Sequence, residues 1–175
     1  MSANGYSDDL RERLSSAPAD KQLSVITIEI RHPAFDPPAA RYVNDTIDLT
    51  ATLEDDAPLD AGETVAFTAT RFDAILPESN DQGLPTCSLE ISNVAGELMP
   101  WLQASVSVPA AIELSVREYL RDDPSEPGHV IHGLNIKKTR AELQRVKAQA
   151  GFEDVLNLSG PRRVYLVKDF STLAR

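Results

Sequence analysis

The chain has 175 residues, 42% hydrophobic, 25% charged and 6% aromatic, a composition that excludes a largely disordered protein and is large enough to bury a core. No apolar run approaches the roughly 18 residues of a membrane span, and the start MSANGYSDDLRERL is charged where a secretory signal is apolar. A single cysteine, Cys87, rules out an internal disulfide framework or a multi-cysteine metal centre, which suits a cytosolic site of synthesis.

The net charge of −10 is unevenly divided. Residues 1–100 carry 18 Asp/Glu against 6 Lys/Arg, whereas residues 101–175 carry 9 against 11. A net acidic surface repels phosphates and argues against sequence-nonspecific nucleic-acid binding. One acidic and one mildly basic region in a single chain suit a subunit that stacks or rings with copies or neighbours of opposite charge. A solvated surface with unevenly scattered charge is the plain alternative.

In chain order, residues 7–15 read as a short helix. Ser7 is placed to cap it, Asp8 and Asp9 sit in the first turn, and Leu10 and Leu14 share a face. After the breaker SSAPAD the period changes to two, with Ile26, Ile28 and Ile30 facing one way and Thr27, Glu29 and Arg31 the other, up to His32-Pro33. RYVN at 41–44 and IDLTATL at 47–53 continue as strands. The acidic connection EDDAPLDAGE (54–63) leads into TVAFTATRF, whose register breaks before Phe72. PESNDQGLP (77–85) is a loop by composition. TCSLEIS alternates again, with Cys87, Leu89 and Ile91 inward.

The spacing of Val94, Leu98, Trp101 and Leu102 then predicts a helix over 94–104, kinked or broken near Pro100. Ile112, Leu114 and Val116 against Glu113, Ser115 and Arg117 make another strand. DDPSEPG is a turn, and HVIHGLNIKK (129–138) a further strand. TRAELQRVKAQAG (139–151) reads locally as a helix closed by Gly151, and in context as the return strand of a hairpin. These elements define a mainly β fold.

No catalytic constellation is visible. His129 and His132 would point to opposite faces of a strand and lack further ligands for zinc, and His32 is a turn residue. Glu54-Asp55-Asp56 lacks the glycine and terminal glutamate of a calcium loop. Cys87 reads as a buried small hydrophobe, Ser159-Gly160 lies outside any nucleophile-elbow sequence, and Trp101 is expected as a core anchor. No cofactor, metal or catalytic residue is expected.

The order of ITIEIRHP (26–33), RYVN (41–44), TVAFTATRFDAILP (64–77), SLEISNVAGELMPWL (88–102), IELSVREYLRDDPSEPG (112–128) and HVIHGLNIKK through GFEDVLNLS (129–159) resembles a family of siphophage tail proteins. Its members are minor tail or baseplate hub proteins encoded after the tape-measure gene. The chain is also distantly similar to the N-terminal part of the lambda minor tail protein L. The resemblance implies a tail-tube-like antiparallel β-barrel or sandwich with a short N-terminal helix and one flanking helix, and a strand rather than a helix over 139–150. The chain divides into a helical arm at 1–20, a β domain at 21–160, read as one unit or as two packed halves, and a tail at 161–175. PRRVYLVKDFSTLAR departs from the Pro- and Phe-rich end of such relatives, and the cysteine-rich extension of the lambda protein, with its iron–sulfur cluster, is absent from this sequence.

The expected function is a non-enzymatic virion protein of the distal tail. It would form a ring, trimeric by preference and hexameric as the alternative, between the tail tube or distal tail protein and the central tip or fibre. Phage DNA would pass the channel without specific binding. The basic cluster Lys137, Lys138, Arg140, Arg145 and Lys147 is the candidate docking surface. Asp45, Asp48, Glu54, Asp55 and Asp56 are candidates for the lumen or a ring edge. The rival is a receptor- or carbohydrate-binding β-sandwich that stacks sugars on Trp101, Tyr119 or Tyr165, a reading that only 10 aromatic residues weaken.

Overall fold

The computed structural model describes residues 7–16, 24–75, 86–92, 98–142 and 145–152. The fold is mainly β. Helix α1 (Asp8–Ser16) precedes β1 (Ser24–Arg31), β2 (Ala39–Val43), β3 (Leu49–Thr52), β4 (Thr64–Ala69), β5 (Phe72–Ile75) and β6 (Thr86–Ser92). Helix α2 (Leu98–Ser107), β7 (Glu113–Leu120), β8 (His129–Ala141) and β9 (Arg145–Gly151) follow. The strands join in the order β3-β4-β2-β1-β7-β8-β9-β6-β5. Pairing is antiparallel except between β2 and β4, where Tyr42 and Val43 meet Thr68 and Ala69 in parallel.

Chain connectivity forces this sheet to curl. Six strands separate β4 from β5 in the sheet, so a flat sheet would hold them about 33 Å apart. Only Thr70 and Arg71 lie between them in sequence, a reach of about 11 Å at most. The seam is held by Thr70 N–H to Val43 O (2.9 Å), Ser92 N–H to Arg71 O (2.9 Å) and Phe72 N–H to Asn44 Oδ1 (3.4 Å). Among the described residues no strand ladder closes the barrel across it.

The alternation of each strand sorts its side chains between two cores. Ile28 and Ile30 of β1, Leu114 and Val116 of β7, Leu89 and Ile91 of β6, and Val146, Ala148 and Ala150 of β9 fill the inner core, with Trp101 and Leu102 of α2 packed against it. On the outer face, Val25, Val43 and Tyr119 meet Ala51, Leu53, Ala57 and Phe67. The β3–β4 hairpin therefore folds back as a roof over the outer face of β1, β2 and β7. Pro100 lies in the first turn of α2, where its missing N–H costs nothing, and the helix runs to Ser107. Val94 of the predicted helix, Leu14's side chain and the 161–175 tail fall outside the description.

Residues 139–141 and 145–150 form strand, with β8 extending to Ala141 and β9 pairing β8 and β6. Alternation carries this against local propensity: Val146, Ala148 and Ala150 are buried while Arg145, Lys147 and Gln149 are exposed. At the other pole Leu10 anchors α1 against Gly128, whose carbonyl accepts Ser7 N–H at 2.8 Å.

Candidate functional site

The outward sides of β1 and β7 do not face water. Thr27, Glu29, Ser115 and Arg117 are at most 1% exposed, and Arg31 is 9% exposed. This corrects the simple inside–outside reading of the alternation, because the roof and the 53–63 loop cover that face. A charge cannot lie there unpaired. Glu29 Oε2 accepts from Arg41 Nε at 2.9 Å, its Oε1 accepts from Arg31 Nη1 at 3.3 Å, and Arg117 Nη1 lies 3.5 Å away. Arg31 Nη2 reaches Glu113 at 2.8 Å, and Arg41 Nη2 reaches Asp60. Arg117 grips Glu54 with Nε at 2.8 Å to Oε2 and Nη2 at 2.8 Å to Oε1.

The loop that supplies Glu54 and Asp60 is shaped for this. Asp60 at φ 53° and Gly62 at φ 71° turn it tightly, and Leu53 and Ala57 pin it to the outer core. Burial alone would raise the Glu54 carboxyl, but His132 and Arg117 outweigh that and hold it at about 2. Burial likewise opposes the charge on Arg117, and the adjoining Glu54 and Glu29 more than offset it.

Ser115, His132 and Glu54 form a line that resembles a nucleophile, base and orienting acid. Ser115 Oγ lies 3.2 Å from His132 Nδ1, and His132 Nε2 lies 2.9 Å from Glu54 Oε1 without the alignment of a hydrogen bond. The line cannot act as such a triad in this state. Ser115 is fully buried in the middle of β7, and Glu54 is already neutralised by Arg117. It ties the roof to the sheet. The register shift opposite Ser115, with Gly133 at φ 73°, marks the irregularity in β8 beside His132.

An open cleft of about 930 Å³ lies beside this layer, with Glu54, Asp55, Asp56, Glu126, His129 and His132 on its walls. No group of three metal-binding side chains occurs among the described residues. The apolar space between α2 and the sheet, beside Trp101 and Thr139, is about 40 Å³, room for little more than a water.

The predicted acidic residues have separate fates. Glu54 is locked to Arg117, Asp45 pairs with Arg121, and Asp48 Oδ1 accepts Ala69 N–H at 2.8 Å. Asp55 and Asp56 are exposed at the loop. The predicted basic residues do come together. Cross-strand register places Lys138 beside Gln149, Arg140 beside Lys147, and Lys147 beside Glu90, on the outer face. Lys137 is the extra residue where β8 shifts register between Ile136 and Lys138. Glu90 is bridged by Arg145 at 2.6 Å and Lys147 at 3.5 Å, and Arg140 lies 3.5 Å from Glu142. Lys137 and Lys138 have no ion pair among the described residues.

Trp101 packs edge-on against Phe35 with ring centroids 4.7 Å apart. Tyr119 is corrected as a sugar platform: it is fully buried against Phe67, its hydroxyl donates to Thr52 O at 3.0 Å, and burial pushes its phenol up. Tyr165 lies outside the described residues. The buried ion layer was missed from sequence, although Glu29, Arg31 and Arg117 on strands with strongly apolar opposite sides were its visible trace.

Fold and site together define a curled β-sheet domain, roofed over half its outer face by an ion-clamped hairpin. The chain belongs to the family described as a domain of unknown function, DUF1833, which it matches over residues 9–165. Comparison with curated proteins gave no match.

Proposed function

We propose that this chain is a structural subunit of the distal tail or baseplate hub of a long-tailed, non-contractile phage. It forms a ring that links the tail tube to the central tip and leaves a channel for DNA. The resemblance in segment order supports this, and the curled sheet with its flanking helix agrees with it. The carrying observation is that half of the outer sheet face is roofed within the chain, while the other half, among the described residues, is exposed and rich in Lys and Arg. A surface of that kind suits a neighbouring subunit. The acidic 45–63 region lies at the lumen or a ring edge, where like charge keeps DNA from sticking. No residue is assigned a catalytic role. Reconstruction of the tail tip tests the reading: copies in a ring around the axis are expected, and a chain missing from purified virions would sink it.

A further inference from the structure

Charge on this chain is divided between two surfaces that cannot meet within one molecule. The acidic one is the tip of the roof loop and its surroundings. Asp55, Asp56, Glu63 and Glu126 are exposed there and have no ion pair among the described residues. The basic one is the exposed outer face at the far end of β8 and along β9, where five cations outnumber Glu90 and Glu142, their ion-pair partners among the described residues, and Asp73 beside Glu90. β8 itself measures the distance between them. His132, near its start, touches Glu54 beside the acidic tip, and Lys137 and Lys138 lie five and six residues further along. That is roughly 17–20 Å of extended strand, beyond the reach of a lysine side chain.

The basic end is also an edge. The β7–β8 pairing stops at Glu113↔Asn135, so, among the described residues, 137–141 of β8 pair only with β9. Ile75, 68% exposed on β5, lies on the same outer face in the same cross-strand row as Lys138, three strands away through Ser88 and Gln149. An exposed strand edge guarded by lysines and arginines resists indiscriminate pairing while remaining open to an acidic partner.

We propose that the occupant is a second copy of this chain: the Asp55–Asp56 tip of one subunit docks on the Lys137–Lys138 face of the next. The contact joins two different patches, so it runs head to tail, the kind of contact that closes into a ring when the rotation from one subunit to the next divides a full turn. The inference rests on the ring reading above and assigns Asp55 and Asp56 to the ring edge. Opposite signs steer the encounter and fix the register, and like signs would prevent it.

The test is sedimentation velocity of the full chain at low and high salt, with charge-reversed variants. The wild type should form rings at low salt that dissociate as salt rises. Lys137→Glu with Lys138→Glu, and Asp55→Lys with Asp56→Lys, should each weaken self-association by roughly a hundredfold or more. The quadruple variant should restore it, which separates lost pairing from lost folding. An equal mixture of the two double variants can alternate only in rings of even number, so a six-membered ring reforms and a three-membered one does not. A monomeric wild type, a reciprocal two-fold dimer, rings indifferent to either double reversal, or a quadruple variant that stays monomeric would each overturn the proposed contact. Rings that tolerate both reversals would leave the tail reading standing, whereas absence of the chain from virions would remove that reading itself.

Discussion

The two halves of the outer sheet face hold charge in opposite ways. Over β1, β2 and β7 the roof excludes water, and four carboxylates, three guanidiniums and an imidazole interlock beneath it. Over the end of β8 and along β9, charges of similar number stand in solvent, and Lys137 and Lys138 are unpaired among the described residues. The first arrangement fixes the hairpin in one position. The second contributes little to the fold and is free to act on another molecule. Glu54 and Asp55, adjacent in sequence, show the same contrast within the roof loop: one is clamped by Arg117 and the other is exposed.

The largest expected effect breaks the roofed half. Arg117→Met or Glu54→Gln leaves a partner charged and buried, which should cost about 3–5 kcal/mol in urea unfolding. Replacing both, Arg117→Met with Glu54→Leu, should recover much of that loss. Lys138→Glu on the bare half should change the stability of the monomer by no more than about 0.5 kcal/mol. Equal losses on both halves would erase the distinction.

Acid sharpens the same comparison. The Glu54 carboxyl is held at about 2 in the folded chain, below its ordinary unfolded value. Its contribution is therefore fully present above about pH 5 and is lost as pH falls toward 2, by roughly 2–4 kcal/mol. Denaturant midpoints measured across that range should fall in the wild type and fall less in Glu54→Gln. Parallel curves would show that Glu54 is not the group responsible.

A smaller effect is expected at the pole where α1 docks. A Cβ on Gly128 would lie 2.9 Å from Leu10 Cδ2 and 3.0 Å from its Cβ, so Gly128→Ala should cost about 1–3 kcal/mol through displacement of the helix. Gly133→Ala meets open space and carries only the strain of its φ of 73°, about 1 kcal/mol. Thermal unfolding of the two variants should rank them in that order.

Much of this fold was legible in the sequence. Ile26, Ile28 and Ile30, and Cys87, Leu89 and Ile91, show period two plainly, and the register break before Phe72 marks the bend between β4 and β5. RVKAQAG hid its strand because two of its three inward residues are alanine, a strong helix former and a weak hydrophobic signal. The ion layer was harder to see. Alternation says which residues share a face, but whether that face meets water depends on a hairpin folding back from 20 residues away or more. The basic cluster was legible because neighbouring strands of one hairpin bring nearby residues together. The acidic cluster was not, because Asp45, Asp48 and Glu54 each find a partner distant in sequence.

The central claim is that the bare half of the sheet is completed by a neighbour in the tail. A reconstruction of the tail tip at side-chain detail tests this most directly. The account predicts copies of the chain in a ring around the axis, each with Lys137 and Lys138 against Asp55 and Asp56 of the next. A single copy on the outer surface, away from the axis and with the β8–β9 face in solvent, would contradict it.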